Sequence, residues 1–337
     1  MVHVEGGPPG VEVHQLLCGR DIAVGGDAIA HMASQMANYV YVVVDAHDKG
    51  KRSAVVIDAC WDVEGLLRYC QEELRVEKPA AALYTHRHFD HTGGRLPRSM
   101  TGGRQVRVPG LHEFAERGIT VGVGRDDVEA VAKQTGVDAA AIRSLGDGET
   151  LGLGGEGSAV FSVLSTPGHT SGSICLQLKA DAESPAAEAT SSMLFTGDTL
   201  FIGSCGRYDL PESDFRSMLA SLDRLSKLPR ETVVLPGHNY AAPAHTTIGA
   251  EHDTNDIMIQ AMGLVKSGRI APSPVAAFLP LPDYLGVAQR VAASFQATGP
   301  VAGVCEGCWD EDEDECVHGH WPLPFFAHED CAPRGRL

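Results

Sequence analysis

Leu83-Tyr-Thr-His-Arg-His-Phe-Asp-His-Thr-Gly-Gly94 holds four metal-capable side chains, His86, His88, Asp90 and His91, within six consecutive positions. The run 80–85 that leads into it is apolar and reads as a buried strand. His86 and His88 are two apart at the end of that strand, so they project to the same side. Asp90 and His91 follow in the turn, where Gly93 and Gly94 permit a tight backbone path. Stacking imidazoles and a carboxylate in a stretch fit for burial is costly unless something pairs with them. A shared cation is such a partner, and this donor set suits zinc, iron or manganese.

Three further fragments have the same character. Ser165-Thr-Pro-Gly-His-Thr-Ser-Gly172 presents His169, Leu194-Phe-Thr-Gly-Asp-Thr-Leu200 presents Asp198, and Val234-Leu-Pro-Gly-His-Asn-Tyr240 presents His238. Each residue stands just past an apparent strand, where sheet proteins build sites from loops. A lone His after a strand is usually a hydrogen-bonded surface residue, and a lone Gly-Asp is usually a turn. Beside the first cluster all three become candidate ligands.

The surrounding chain reads as layered α/β. Strands are expected at 39–45, 53–58, 80–85, 105–108, 159–165, 174–178, 193–196 and 232–235, with helices at 62–74, 126–143 and 213–227. Asp62, Asp126 and Ser213 are the expected helix starts. The Ala/Ser/Glu-rich segment 181–192 reads as a surface loop. Beyond about residue 245 the strand signals fade, and 255–266 and 283–296 look helical. This divides the chain into 1–245, a helical extension 246–300 and an acidic Cys/His-rich tail 301–337.

Composition narrows the function classes. The chain has 337 residues, 43% of them apolar and 21% charged, which excludes a disordered protein. Its net charge of −17 repels phosphate backbones and argues against nucleic acid as a partner. No apolar run reaches the ~18–20 residues of a membrane span, and the opening MVHVEGGPPG lacks the pattern of a secretory signal. With nine cysteines and no such signal, the expectation is reduced thiols in the cytoplasm. Cys175 and Cys205 read as small buried residues, not nucleophiles.

The motifs together resemble the metallo-β-lactamase fold superfamily and, within it, hydroxyacylglutathione hydrolase, the second glyoxalase enzyme. The resemblance rests on Thr85-His-Arg-His-Phe-Asp-His-Thr-Gly-Gly94, Pro167-Gly-His-Thr170, Phe195-Thr-Gly-Asp-Thr-Leu-Phe201, Cys205-Gly-Arg207, Gly237-His-Asn-Tyr240, and Thr247-Ile-Gly-Ala-Glu251 with Asn255. It implies a four-layer αββα sandwich with the site at one edge of the two sheets. Carried over by residue, it implies that His86, His88 and His169 hold one divalent ion. Asp90, His91 and His238 hold a second, and Asp198 bridges both.

Two such ions can share a water and lower its pKa from about 16 toward 7, providing a bridging hydroxide to attack a carbonyl. Asp90 could also orient that nucleophile. Zinc is the expected metal, with iron or manganese as alternatives. The resemblance implies a small-molecule thioester substrate such as an acyl-glutathione, with Arg207 and Tyr240 as its contacts. A persulfide dioxygenase, a relative that uses one iron at the positions of His86, His169 and Asp198, fits Cys205-Gly-Arg-Tyr-Asp209 and stays open as an alternative. So does a hydrolase of another ester or amide. Oligomeric state is not legible. In the tail, Cys305, Cys308, Cys316 and His318 have the ligand types of a structural zinc site.

Overall fold

The structure is a computed structural model and describes residues 2–46, 52–96, 105–153, 159–180 and 192–270, with the backbone of 309–310 and 315–316. The first sheet begins with β1 (Val2–His3), β2 (Val11–Leu17), β3 (Tyr39–Asp45), β4 (Ser53–Ile57) and β5 (Ala81–Tyr84). After a small hairpin of β6 (Gly94–Arg95) and β7 (Arg107–Val108), β8 (Thr120–Gly124) and β9 (Ile142–Leu145) complete it in the order β1-β2-β3-β4-β5-β8-β9. The second sheet runs in sequence order through β10 (Thr150–Gly152), β11 (Ala159–Ser165), β12 (Ile174–Ala180), β13 (Ser192–Gly197), β14 (Val233–Pro236) and β15 (Thr246–Thr247). The helices are α1 (Ala28–Met36), α2 (Val63–Glu72), α3 (Phe89–Thr92), α4 (Leu111–Glu116), α5 (Val128–Thr135), α6 (Phe215–Leu225), α7 (Ile248–Thr254) and α8 (Asp256–Lys266). Two compact units divide the chain: Met1–Arg95 with Arg107–Pro274, and Leu96–Val106 with Val275–Leu337. In the second unit, β16 (Trp309–Asp310) and β17 (Glu315–Cys316) pair antiparallel.

The two sheets face each other across one core. Tyr41, Val43, Ile57 and Leu83 of the first sheet join Phe161, Val163, Leu176 and Phe195 of the second in a single buried cluster. Tyr41 meets Phe195 edge-on with ring centroids 5.0 Å apart. β3 (YVYVVVD) is buried along its whole length, so both of its faces are covered. The pairs β4/β5, β8/β9 and β13/β14 are parallel and are joined through α2, α5 and α6. Parallel strands need such a crossover, which lays a helix on a face of the sheet. The inner faces are filled by the opposite sheet, so the helices lie outside, giving the expected αββα layers.

β3 and β11 have the expected bounds, whereas one expected helix is shorter than its pattern. α5 stops at Thr135, where Gly136 takes a left-handed conformation (φ 76°) and accommodates the C-cap without a Cβ penalty. Ile142 and Leu145 are buried in strand β9, which corrects the helix expected over 126–143. α6 is capped by Asp214, not Ser213: its carboxylate accepts from Ser217 N at 2.6 Å. Within the segment expected to be a loop, Ser192 opens β13, and 181–191 lie outside the described residues. The helix expected at 283–296 also lies outside them.

Candidate metal centre

All seven residues gather at one edge of the sandwich. β4 and β5 are parallel; the loop after β5 carries His86 and His88, and the short α3 that follows carries Asp90 and His91. The turn between β11 and β12 carries His169, while Asp198 and His238 follow the parallel strands β13 and β14. Two glycines make the approach possible. A Cβ on Gly197 (φ 47°) would lie 2.3 Å from Thr85 Oγ1, and one on Gly168 (φ 146°) would lie 2.4 Å from the Met218 backbone.

Ligand atoms of His86, His88 and His169 lie within 4.8 Å of one another, as do those of Asp90, His91 and His238, and those of His86, His91 and Asp198. His88 Nδ1 is 3.1 Å from His86 Nε2 and 2.9 Å from His169 Nε2. His91 Nε2 is 3.2 Å from His238 Nε2, and Asp90 Oδ2 is 3.4 Å from His238 Nε2. The Asp198 carboxylate stands between the groups. Its Oδ2 is 3.5 Å from His169 Nε2, and its Oδ1 is 3.4 Å from both His91 and His238 Nε2.

The tautomers of the imidazoles follow from their outward-facing nitrogens. His169 Nδ1 donates to Arg207 O and His238 Nδ1 to Met36 O, each at 2.8 Å. His88 Nε2 donates to Glu212 Oε1 at 2.8 Å, and His91 Nδ1 donates to Asp58 Oδ2 at 3.0 Å. His86 Nδ1 donates to Thr85 Oγ1 at 3.1 Å, since the Thr85 hydroxyl hydrogen is spent on Asp58 Oδ2 at 2.8 Å. Carbonyls and carboxylates accept only, so the outward nitrogens carry hydrogen and the inward ones of neutral rings present lone pairs. Lone pairs facing one another near 3 Å repel unless a cation or a proton lies between them. Asp198 Oδ1 is buried with no hydrogen-bond partner among the described residues. Five inward imidazole nitrogens and two carboxylates, one of them with an orphaned oxygen, fit divalent cations.

Charge reinforces this reading. Burial, helped by neighbouring imidazoles, pushes His86 well below the usual histidine range and His169 down to about 4. Burial also acts to lower His91, but Asp90, Asp58 and Asp198 together outweigh it and hold that ring well above the usual range. Burial would raise Asp198, yet His238 and His91 hold it well below. The carboxylates thus favour positive charge beside His91 and His238, and protons compete with a cation for those nitrogens. Metal occupancy is expected to fall as the solution is acidified.

Several residues that fix this geometry carry no motif in the sequence. Asp58 ties His91 to Thr85, and Glu212 backs His88. Asn38, fully buried, donates to Asp90 Oδ2 at 3.1 Å. Asp127 joins two ligand-bearing loops: its carboxylate accepts from Arg87 N (3.0 Å), Thr170 Oγ1 (2.6 Å) and Gly172 N (3.1 Å). An Asn at 127 offers one oxygen and turns an N–H toward a donor. Asp127→Asn is therefore expected to cost about 1–3 kcal/mol of stability despite removing a buried charge, read by denaturant unfolding. Equal stability would show that the three donors can find other acceptors.

Arg207 and Tyr240 lie beside the site in different states. The Tyr240 ring stacks on His238 (centroids 4.6 Å, 10° between planes), sits edge-on to Phe201, and is 53% exposed. The Arg207 guanidinium is engaged bidentately by Asp209, with Nε–Oδ1 at 2.9 Å and a terminal nitrogen to Oδ2 at 2.7 Å. Glu251 accepts from Gly203 N at 2.8 Å and from the Asn255 amide at 2.9 Å, and Asn255 also reaches Ser204 O, so both brace the loop after Asp198. Cys175 and Cys205 are buried, and burial pushes their thiols up to about 11 and about 12, which suits packing more than nucleophilic attack. Of the expected tail zinc ligands, Cys305, Cys308 and His318 lie outside the described residues, and only the backbone of Cys316 is described.

Comparison with known proteins agrees with this geometry. The family model described as the metallo-beta-lactamase superfamily matches residues 35–97 and 103–238. An uncharacterized protein of Mycobacterium tuberculosis is 34% identical over 207 residues, covering 61% of this chain and 87% of that protein. A hydroxyacylglutathione hydrolase of an Enterobacter species is 32% identical over 203 residues, covering 60% of this chain and 62% of that protein, so the match spans under two thirds of the hydrolase. Among solved structures, a metallo-beta-lactamase from Staphylococcus aureus is 20% identical with a TM-score of 0.53, covering 83% of this chain and 71% of that one, a likeness of fold.

Proposed function

Because the chain belongs to the metallo-β-lactamase superfamily, we propose that it is a metal-dependent hydrolase of a small thioester, an acyl-glutathione being the reference substrate. The observation that carries this reading is Asp198, one carboxylate facing His169 with one oxygen and His91 and His238 with the other. His86, His88 and His169 would hold one divalent cation, and Asp90, His91 and His238 the other, with Asp198 serving both. When bound, such a pair supplies Lewis acidity and a water of lowered pKa at neutral pH. The chain's own contribution is orientation. The outward hydrogen bonds hold each imidazole in the tautomer that leaves its inward nitrogen free. Asp90, buried and hydrogen-bonded to Asn38, would also orient the nucleophile. Tyr240 offers an exposed flat wall next to His238.

Arg207 would meet a substrate carboxylate only by exchanging its bond to Asp209. Asp209→Asn should therefore lower KM for S-lactoylglutathione while leaving KM for an uncharged thioester in place. The pair is partly exposed, so the gain is expected to be about 1 kcal/mol or less, at most roughly fivefold. An equal change for both substrates would remove Arg207 from carboxylate recognition.

The reading as a whole is tested by metal analysis of the protein beside an S-lactoylglutathione assay. Two zinc-like ions per chain, beside the one proposed for the tail, are expected with thioester cleavage. One iron per chain, with oxygen uptake on a persulfide substrate, would select the dioxygenase instead. We further propose a reducing, cytoplasmic setting, in keeping with the free, buried thiols of Cys18, Cys60, Cys70, Cys175 and Cys205. Among the described residues no helix is long and apolar enough to cross a membrane. The division at 245 and 300, and a tail zinc held by Cys305, Cys308, Cys316 and His318, are proposed on composition and ligand type. A Cys305→Ser, Cys308→Ser double variant should lose one metal per chain and keep its thioester turnover.

A further inference from the structure

Asn38 stands immediately before β3, fully buried, its backbone bridged to that of His238. Its amide lies among three candidate ligands of a single ion. Nδ2 is 3.1 Å from Asp90 Oδ2 and 3.4 Å from both His91 Nε2 and His238 Nε2. The opposite arrangement, with the oxygen facing the ligands, is blocked by Trp61. The indole Nε1 can only donate, and it donates to Asn38 Oδ1 at 3.0 Å. The nitrogen is thereby committed to the ligand side. An amide nitrogen does not hold a cation, so this corner receives a hydrogen-bond donor where a further ligand oxygen would otherwise stand.

We propose that Asn38, locked by Trp61, is a positioning residue for the ion of Asp90, His91 and His238, fixing the Asp90 carboxylate while adding no charge to that corner. This rests on the metal-centre reading above. The donor satisfies one lone pair of Asp90 Oδ2 and sets its direction, leaving the others for the cation. Hydrogen bonds to ligating carboxylates are worth roughly 10–100-fold in metal affinity. The ion of His86, His88 and His169 has no such contact with Asn38 among the described residues and should not feel the change.

The test is zinc binding by the full chain, measured by equilibrium dialysis against graded chelator with elemental analysis. The step that disappears in His238→Ala identifies one ion, and the step that disappears in His88→Ala identifies the other. Asn38→Ala is expected to weaken the His238-dependent step roughly 10–100-fold and to leave the His88-dependent step within about twofold, the scatter allowed to an independent site. Asn38→Leu separates positioning from packing. It keeps the branched shape but has no hydrogen to give Asp90 Oδ2. It should weaken the same step as Asn38→Ala does. The proposal is overturned if Asn38→Ala weakens both steps alike or neither, or if Asn38→Leu keeps the affinity that Asn38→Ala loses. A chain with native Asn38 that shows no His238-dependent zinc step would overturn the two-ion reading itself, and this inference with it.

Discussion

Asp198→Ala should strip zinc from both positions and abolish thioester hydrolysis, the largest single effect the site can show. The Asp198 carboxylate faces both groups of imidazoles, and among the described residues its Oδ1 has no hydrogen-bond partner. A residue that only backs a ligand costs roughly 10–100-fold in affinity, so loss of a ligand shared by two ions should exceed that at each. Removing the carboxylate also leaves His91 and His238 without one of the acidic groups that hold their protonation up. The zinc-free variant should nevertheless fold, because the buried apolar cluster between the two sheets does not include Asp198. Metal content, turnover and far-ultraviolet circular dichroism on the same sample decide the matter. A folded Asp198→Ala chain that keeps both ions would assign the bridging role elsewhere.

Asp58→Ala should damage both stability and metal binding. Asp58 accepts from Thr85 N and Thr85 Oγ1 at 2.8 Å each and from His91 Nδ1 at 3.0 Å, inside a residue 1% exposed. Through Thr85 Oγ1 it also sets the tautomer of His86, so one carboxylate orients an imidazole in each group. Alanine would strand three buried donors, and at about 1–3 kcal/mol for each unsatisfied group the loss should be at least about 3 kcal/mol. Both ions should weaken roughly 10–100-fold as their imidazoles lose orientation. Asp58→Asn should not rescue, because its amide turns a donor toward a donor. If Asp58→Asn matches the unsubstituted chain in unfolding and zinc affinity, the carboxylate is not what sets the tautomers.

These two variants also mark how far the sequence could be read. His86, His88, Asp90 and His91 were legible because spacing alone places them together, and a buried cation site leaves an unusual composition behind. His169, Asp198 and His238 became legible once that cluster was recognised and the resemblance attached to it. Asp58 ends the strand run SAVVID as Asp198 ends LFTGD, so its position type was visible, but its partner lies 33 residues away. Asn38 and His238 are 200 residues apart and meet only through the pairing of chain segments at one sheet edge. Asp127 read as part of a helix start, whereas its carboxylate is turned away to bind Arg87, Thr170 and Gly172. The helix expected over 126–143 overran for a related reason: Gly136 and the pairing of β9 with β8 outweigh a continuous helical pattern.

The most direct test is an anomalous difference map from crystals grown with zinc, collected on both sides of the zinc absorption edge. Two peaks are expected, one on each side of the Asp198 carboxylate, the first among His86, His88 and His169 and the second among Asp90, His91 and His238. A map with no peak there, or imidazoles turned away from one another around Asp198, would contradict the account.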